Sequence, residues 1–271
     1  MTVTDAAFGW VCEVVAQDAA IVLEAGKEYL VESRLAPLAR AAGQSGVTAY
    51  IDQARATADR QARARIVDAL TTNETSWFRD GAPFQALEHD IVPALAASRA
   101  ASRNIRVWSA ACSTGQEPYS IAMVLRDALG GQGWRCQVLG TDLSPTVLDQ
   151  ARLGLYNQVE MNRGLPASKL VSNFSREGMR WRVSDELRRM VSFRELNLAR
   201  PLPPIGQFDV VFLRNVLIYF SVDTRRQILR RVRAACRPDG YLVLGSAETT
   251  LGVDERWRRV RFGTSTVYQP A

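Results

Sequence analysis

Ile105-Arg-Val-Trp-Ser-Ala-Ala-Cys-Ser-Thr-Gly-Gln-Glu-Pro-Tyr-Ser-Ile-Ala-Met-Val-Leu125 is the stretch from which the rest of the chain can be read. The apolar run Ile105–Trp108 predicts a strand, and the small residues and Gly115 after it predict a tight turn. Pro118 then opens a helix with Ile121, Ala122, Leu125 and Leu129 on one face. Strand, turn and helix in this order make the first unit of an open α/β sheet that holds a nucleotide-like ligand. A second apolar run, Cys136–Asp142, ends on an acid, where a ribose would present its hydroxyls.

Outward from this unit, strands are expected at about 105–109, 136–141, 191–195, 208–213, 240–245, 257–262 and 265–269, with helices near 118–129, 145–153 and 223–236. Such alternation predicts a mostly parallel sheet covered by helices on both faces. The helix at 223–236 has Ile228, Leu229, Val232 and Cys236 on one side and Arg226, Arg230, Arg233 and Arg237 on the other. Only a short turn at Gly263 separates the last two strands, so they form an antiparallel hairpin. A parallel sheet closed by such a hairpin suits a class I S-adenosylmethionine (SAM) methyltransferase better than a dinucleotide dehydrogenase. The segment 154–190 breaks the alternation. It holds a helical piece near 166–172 and two short strands about Glu177-Gly178, and it is expected to be an inserted β subdomain rimmed with arginine.

The first 70 residues carry no strand pattern and read as four short helices at roughly 5–17, 28–42, 48–56 and 59–70. This gives a helical domain over 1–75, a connector over 76–103 and a sheet domain over 104–271. Between them, Leu70–Arg79 contains capping residues followed by Trp77 and Phe78, and predicts a helix that bridges both domains.

Composition removes several classes of function. No apolar run reaches membrane-spanning length, and a cytoplasmic protein without membrane insertion is expected. The formal charge of +6 is almost entirely arginine, since Lys27 and Lys169 are the only lysines, and it favours an anionic partner. Cys12, Cys112, Cys136 and Cys236 lack the paired spacing of a metal or disulfide framework. The sole histidine, His89, has no nucleophile elbow to serve. The first turn lacks both the full G-x-G-x-x-G run and the phosphate-cradling Walker pattern. Without pyrophosphate-binding glycines, NAD and ATP are disfavoured, and SAM, which has no phosphates, fits the turn better.

Three stretches carry a resemblance: Thr71-Thr-Asn-Glu-Thr-Ser-Trp-Phe-Arg79, Val107–Met123 and Phe212-Leu-Arg-Asn-Val-Leu-Ile-Tyr-Phe220, with Glu195–Leu198, Pro238-Asp-Gly240 and Gly245-Ser-Ala-Glu248 in order among or after them. Together they resemble the CheR family of chemotaxis receptor protein-glutamate O-methyltransferases over essentially the whole chain. The resemblance implies a helical receptor-recognition domain, a SAM-binding sheet domain and an inserted β subdomain. It also implies methyl transfer from SAM to receptor glutamates, giving glutamyl methyl esters and S-adenosylhomocysteine. Cofactor contacts carried over by motif are Asn73, Thr75, Arg79, Glu117, Asp142, Asn197, Leu198, Asn215 and Val216. The acceptor site is expected to be lined by Tyr219 and an arginine, Arg79 first, with Arg99 or Arg103 behind it.

A glutamate acceptor, with a pKa of about 4.3, is already ionised at neutral pH and needs no general base. The expected partner is the acidic helical methylation region of chemoreceptors in their arrays, met by Arg55, Arg60, Arg63 and Arg65. Some family members grip a C-terminal receptor tether with a longer loop where this chain has only Arg176-Glu-Gly-Met179, so independence of the tether is expected. Gln116 is a smaller departure, at a place where the family often has an acid. A monomer without nucleic-acid binding is expected. Nucleic-acid amino-methyltransferases place an [DN]-P-P-[YFW] motif after the fourth strand, where this chain has Arg214-Asn-Val-Leu217. An adaptor that kept the fold but lost turnover is the remaining alternative, opposed by the intact set Asn73, Arg79, Glu117, Asp142 and Asn215.

Overall fold

Period-3.6 apolar spacing and capping residues give the first four helices of the computed structural model, which describes residues 3–271. They are α1 (Asp5–Ala19), α2 (Glu28–Ala41), α3 (Val47–Ala56) and α4 (Arg60–Leu70). Thr4 caps α1 through the Ala7 amide, and Asp59 caps α4 through the amides of Gln61 and Ala62 at 2.8 and 3.1 Å. At the other end of α4, Arg34 Nη1 donates to the carbonyls of Leu70 and Thr71 at 2.9 and 2.7 Å. The apolar stripes meet in one core around Val11, Val15, Val31, Leu35, Ile51 and Ile66. The chain divides into two compact units: one runs up to Thr72 and includes Tyr219–Thr224, and the other comprises Asn73–Ile218 and Arg225–Ala271.

In the second unit, α5 (Ala82–Ala86), a π-helical turn at Leu87–Ile91 and α6 (Val92–Ser98) lead into β1 (Asn104–Ala110). There follow α7 (Gln116–Leu129), β2 (Arg135–Asp142), α8 (Pro145–Leu153), β3 (Leu155–Asn157), α9 (Gln158–Met161), α10 (Ala167–Asn173), β4 (Phe174–Glu177) and β5 (Arg180–Val183). The rest is α11 (Asp185–Met190), β6 (Val191–Glu195), β7 (Phe208–Leu213), a 3₁₀ turn at Leu217–Tyr219, α12 (Val222–Ala235), β8 (Cys236–Leu244), β9 (Trp257–Phe262) and β10 (Ser265–Pro270). The main sheet has the order β6-β2-β1-β7-β8-β10-β9, parallel through β8 and antiparallel at β10 and β9.

β1 lies in the interior of the sheet, between β2 and β7, and buries Ile105, Val107, Trp108 and Ala110 completely. From Val107 to Ala110 it is therefore buried on both faces rather than alternately. The unit's core continues through Val210, Phe212, Tyr241 and Val243 of the sheet and Ile121, Met123 and Leu125 of α7.

Three details differ from the sequence reading. The bridging segment is not a helix: it runs without regular structure to Ser76 and turns at Trp77–Asp80, with Phe78 and Asp80 at φ +46° and +67°. Left-handed backbone at two non-glycine residues is incompatible with a continuing α-helix. The inserted subdomain is a three-stranded sheet, β3-β5-β4, because Leu155–Asn157 pairs with Asn-free β5 at Arg180–Arg182 and adds a strand too short to show a period. β8 also begins earlier than expected, at Cys236, and a register shift against β7 between Phe208 and Val210 accommodates its first turn of chain.

Candidate active site

Parallel strands deliver their carboxyl ends to one edge of the sheet, the place where such folds bind ligands. After β1 the chain turns through Ala111 and Ser113, both in the left-handed region at φ +57° and +50°, and then Gly115 at φ +97°. A side chain at 115 would put its Cβ 2.9 Å from Ala151 Cβ and 3.0 Å from the Tyr156 hydroxyl. Glycine therefore meets both the conformational and the packing demand. The helix α7 starts at Gln116, two residues before Pro118, which places Glu117 inside its first turn.

Glu117 is almost fully buried, and its carboxylate is held on both sides. Ser109 Oγ donates to Oε1 at 2.8 Å and Arg214 Nη1 donates to Oε2 at 2.9 Å. Each oxygen keeps a further lone pair. The Arg214 guanidinium also donates through Nη2 to the Arg79 carbonyl at 2.8 Å and to Asp80 Oδ2 at 2.7 Å, and it lies over the Phe84 ring. At the end of β2, Asp142 accepts from the Ser113 amide at 2.8 Å and the Ser144 amide at 3.0 Å. Ser113 Oγ donates in turn to the Asn73 carbonyl at 2.7 Å. Ser144 itself caps α8 through the Val147 amide, so Asp142 is a strand-end acid beside a cap rather than the cap.

The bridging stretch is thus pinned to the sheet at several points. Phe78 donates its amide to Ser120 Oγ at 3.1 Å, and the Trp77 amide donates to the Arg163 carbonyl at 3.0 Å. The Trp77 ring meets Tyr156 and Phe174 edge-on at 4.9 and 5.2 Å. Thr75 is half-buried in the same stretch, and Arg79 Nη1 donates to the Glu74 carbonyl at 3.0 Å.

Past β6, the Leu196 amide donates to the Asp142 carbonyl at 2.8 Å, which brings Asn197 and the buried Leu198 beside the β2 end. Asn197 Oδ1 accepts from the Ala199 amide at 2.9 Å. Past β7, Asn215 is left-handed at φ +57°. Asn73, Arg79, Glu117, Asp142, Asn197, Leu198, Asn215 and Val216 are therefore joined through short hydrogen-bond links or chain neighbours at one edge of the sheet.

Other expected residues fall elsewhere. Arg99, considered for the acceptor site, bonds the buried Asp209 at 2.8 Å and Asp239 at 2.6 Å, beside the amino-terminal half of β7. This holds the Asp239 carboxyl below its usual range. Arg103 donates to the Gln132 carbonyl at 3.1 Å. Both are committed to structural partners. Tyr219 groups with the helical unit, where its carbonyl accepts from the Val22 amide at 3.2 Å.

In that unit Arg55, Arg60 and Arg63 line a groove of about 520 Å³ with Trp10, Asp18 and Asp59. Arg63 is tied to Asp18 at 2.5 Å, whereas Arg55 and Arg60 are exposed. Arg65 is exposed and stands 4.0 Å from Asp59. His89 is an exposed surface residue near Glu88.

Cys112 is buried between Ala111 and Ser113, and burial first, then the Asp142 and Glu117 charges, push its thiol well above the usual range. It stays protonated and is a packing group rather than a nucleophile. Among the described residues no cluster of His, Cys, Asp or Glu is arranged to hold a metal ion, and no helix is long and apolar enough to cross a membrane.

Two charged residues of this edge had no assigned role in the sequence reading. Arg214 directly follows the strand stretch Val210-Val-Phe-Leu213, a position where a charged residue must be paired once buried, and that was its available signal. Glu248 gave none beyond its place in a motif.

Comparison with known proteins decides what the edge belongs to. Residues 6–71 match the model of the CheR methyltransferase all-alpha domain, and residues 73–266 match that of the CheR methyltransferase SAM binding domain. The chain belongs to the CheR methyltransferase family. It is 39% identical over 254 residues to the chemotaxis protein methyltransferase Cher2 of Pseudomonas putida, covering 92% of each chain. It is 37% identical over 273 residues to chemotaxis protein methyltransferase 1 of Vibrio cholerae, covering 99% of this chain and 98% of that one. To the chemotaxis protein methyltransferase of Escherichia coli it is 36% identical over 263 residues, covering 95% and 89%.

As a CheR methyltransferase, the chain uses SAM to methylate chemoreceptor glutamates. The site chemistry fits that cofactor. Two buried carboxylates, Glu117 in the first turn of α7 and Asp142 at the end of β2, suit an ammonium group and vicinal hydroxyls. Neither a glycine-rich turn nor a lysine is present there to cradle phosphates.

Proposed function

We propose that the edge formed by Asn73, Thr75, Arg79, Glu117, Asp142, Asn197, Leu198, Asn215 and Val216 is the SAM pocket of this CheR methyltransferase. The observation that carries the assignment is the buried pair of carboxylates, each with its outer partners already in place: Glu117 on Ser109 and Arg214, Asp142 on the Ser113 and Ser144 amides. Asp142 accepts from the ribose hydroxyls, Glu117 takes the ammonium of the amino-acid tail, and Asn197 and Leu198 flank the adenine.

The cofactor supplies an electrophilic methyl on a positively charged sulfur. The acceptor glutamate is ionised at neutral pH, so the protein has no proton to remove. Its work is to align a carboxylate oxygen, exclude water around it and avoid binding it so tightly that nucleophilicity is lost. Arg79 performs the aligning. Arg79 carries one bond to a backbone carbonyl and keeps other guanidinium donors for this role.

Arg55, Arg60, Arg63 and Arg65 meet the acidic helical methylation region of the receptor, with Arg55 and Arg60 presenting free guanidinium groups at the groove wall. The β4–β5 turn consists of two residues, Gly178 and Met179, and the Glu177 carboxylate beside it is engaged by Arg182. So short a turn supports a protein that works without a receptor tether peptide. The enzyme acts as a cytoplasmic monomer at receptor arrays and does not bind nucleic acid.

The test is transfer of labelled methyl from SAM to purified receptor cytoplasmic fragments, with and without their last residues, followed by mild base. Label released as methanol from both fragments supports the reading. Base-stable label moves the enzyme to another acceptor chemistry, and transfer only to the full-length fragment rejects tether independence. SAM binding without transfer to any fragment supports the adaptor alternative.

A further inference from the structure

We propose that Glu248 is a positioning residue of the methyltransferase site, the anion on which the turn after β7 is built. Its carboxylate accepts four backbone N–H groups from two different loops. Oε1 takes Val216 at 2.9 Å and Leu217 at 2.7 Å, and Oε2 takes Asn215 at 2.7 Å and Gly245 at 2.8 Å.

Three successive amides converging on one carboxylate form an anion-binding nest, here filled by the protein's own side chain. The nest holds Asn215 at φ +57°, in the left-handed region that Asn tolerates better than most side chains. It also explains Gly245. A Cβ there would fall 2.7 Å from Glu248 Oε2 and 2.9 Å from both the backbone and the side-chain nitrogen of Asn215. Glu248 and Gly245 together leave room for the turn and then lock it.

The inference rests on the reading that Asn215 and Val216 touch the cofactor. Glu248 spends its oxygens on the amides of those residues, so it acts through them and takes no part in the chemistry. A glutamine of the same shape keeps one carbonyl acceptor but turns an NH2 toward two N–H donors, leaving those donors unsatisfied. The turn is then no longer held by all of its amides, and the pocket loses a preorganised wall.

The experiment compares Glu248→Gln, Asn215→Ala and wild type by SAM titration calorimetry and by amide exchange of the 214–218 peptide in the free protein. The expected result for Glu248→Gln is a loss of SAM affinity of roughly tenfold to a hundredfold. Faster exchange should appear at the amides of Asn215, Val216 and Leu217, with unchanged exchange in β1 and β7. Unaltered exchange and affinity in Glu248→Gln overturn the proposal.

Asn215→Ala separates the two readings: wild-type SAM affinity in that variant rejects the contact role of Asn215, while the exchange result still reports on Glu248. If Glu248→Gln does not fold, Glu248→Ala is titrated with formate as a small carboxylate. Recovery of SAM affinity with formate supports the nest, and a formate-insensitive variant that folds but binds SAM normally rejects it.

Discussion

Arg214 and Glu117, 97 positions apart in sequence, meet at 2.9 Å with the guanidinium only 1% exposed, joining the end of β7 to the first turn of α7. Arg214 reaches Arg79 and Asp80 from the same group, so one side chain fixes the Glu117 carboxylate and the backbone at Arg79. The pair is geometrically complementary but sits in a low-dielectric setting, where losing one member strands the other.

Arg214→Met is therefore expected to destabilise the protein by about 3 kcal/mol, because the buried Glu117 loses its cationic partner and keeps only the Ser109 hydroxyl. The double variant Arg214→Met/Glu117→Gln should recover part of that loss. Urea unfolding of wild type, Arg214→Met, Glu117→Gln and the double variant checks this. A double variant as unstable as the sum of the two single changes contradicts the coupling.

At Gly115 the backbone and the packing both exclude a side chain. Gly115→Ala is expected to lower stability by about 1–3 kcal/mol. It should also weaken SAM binding, since the turn carries Ser113 and leads into Glu117. Thermal melts and calorimetry report the two effects separately, and an unchanged melting temperature contradicts the strain argument.

Most of this was legible as pattern. The apolar-rich segments of β1, β2 and β7 and the amphipathic stripe of α12 indicated which segments pair and which cover. Asp142 was visible as the acid that ends the second strand, and Glu117 through the motif that carries it. What stayed hidden depends on contacts that no local pattern encodes. Phe78 and Asp80 adopt left-handed backbone although they are not glycines. Glu248 bonds amides 31 to 33 positions away, and Arg214 reaches back 134 positions to Asp80. The partners of Arg99 were hidden for the same reason: its carboxylates are 110 and 140 positions distant.

Arg60 and Arg63 should part company on mutation. Arg60→Glu is expected to raise the KM for receptor several-fold at low salt, with the effect fading near physiological ionic strength and no change in SAM affinity. Arg63→Glu should do the same and additionally cost up to about 1 kcal/mol, from the half-exposed pair with Asp18. Steady-state kinetics at two salt concentrations, paired with melts, distinguishes them. A receptor KM insensitive to both charge reversals rejects the basic groove as the docking surface.

Alkaline pH should erode the fold in a defined window. Burial pushes the Cys136 thiol up to about 11 and the Cys236 thiol up to about 12, while an unfolded thiol titrates near 8.5. The native state therefore holds protons that the unfolded state has released, so this contribution is intact below about pH 8.5 and declines as pH rises toward the native values. Melting temperatures measured from pH 7 to pH 11 should be level at first and then fall. In Cys136→Ala/Cys236→Ala the alkaline slope should be shallower, and an identical slope contradicts the assignment.

β10 lies between β8 and β9, although it is made after both. On a ribosome, the β8 edge must therefore wait unpaired while the arginine-rich β9 emerges with no neighbour of its own. Only when Ser265–Pro270 arrives can it slide into the gap and satisfy both at once. The parallel half of the sheet can assemble early, but closure of this flank is deferred to a single late insertion. During that interval the waiting edge is open to pairing with another nascent chain, and the charges of β9 help keep such a neighbour away.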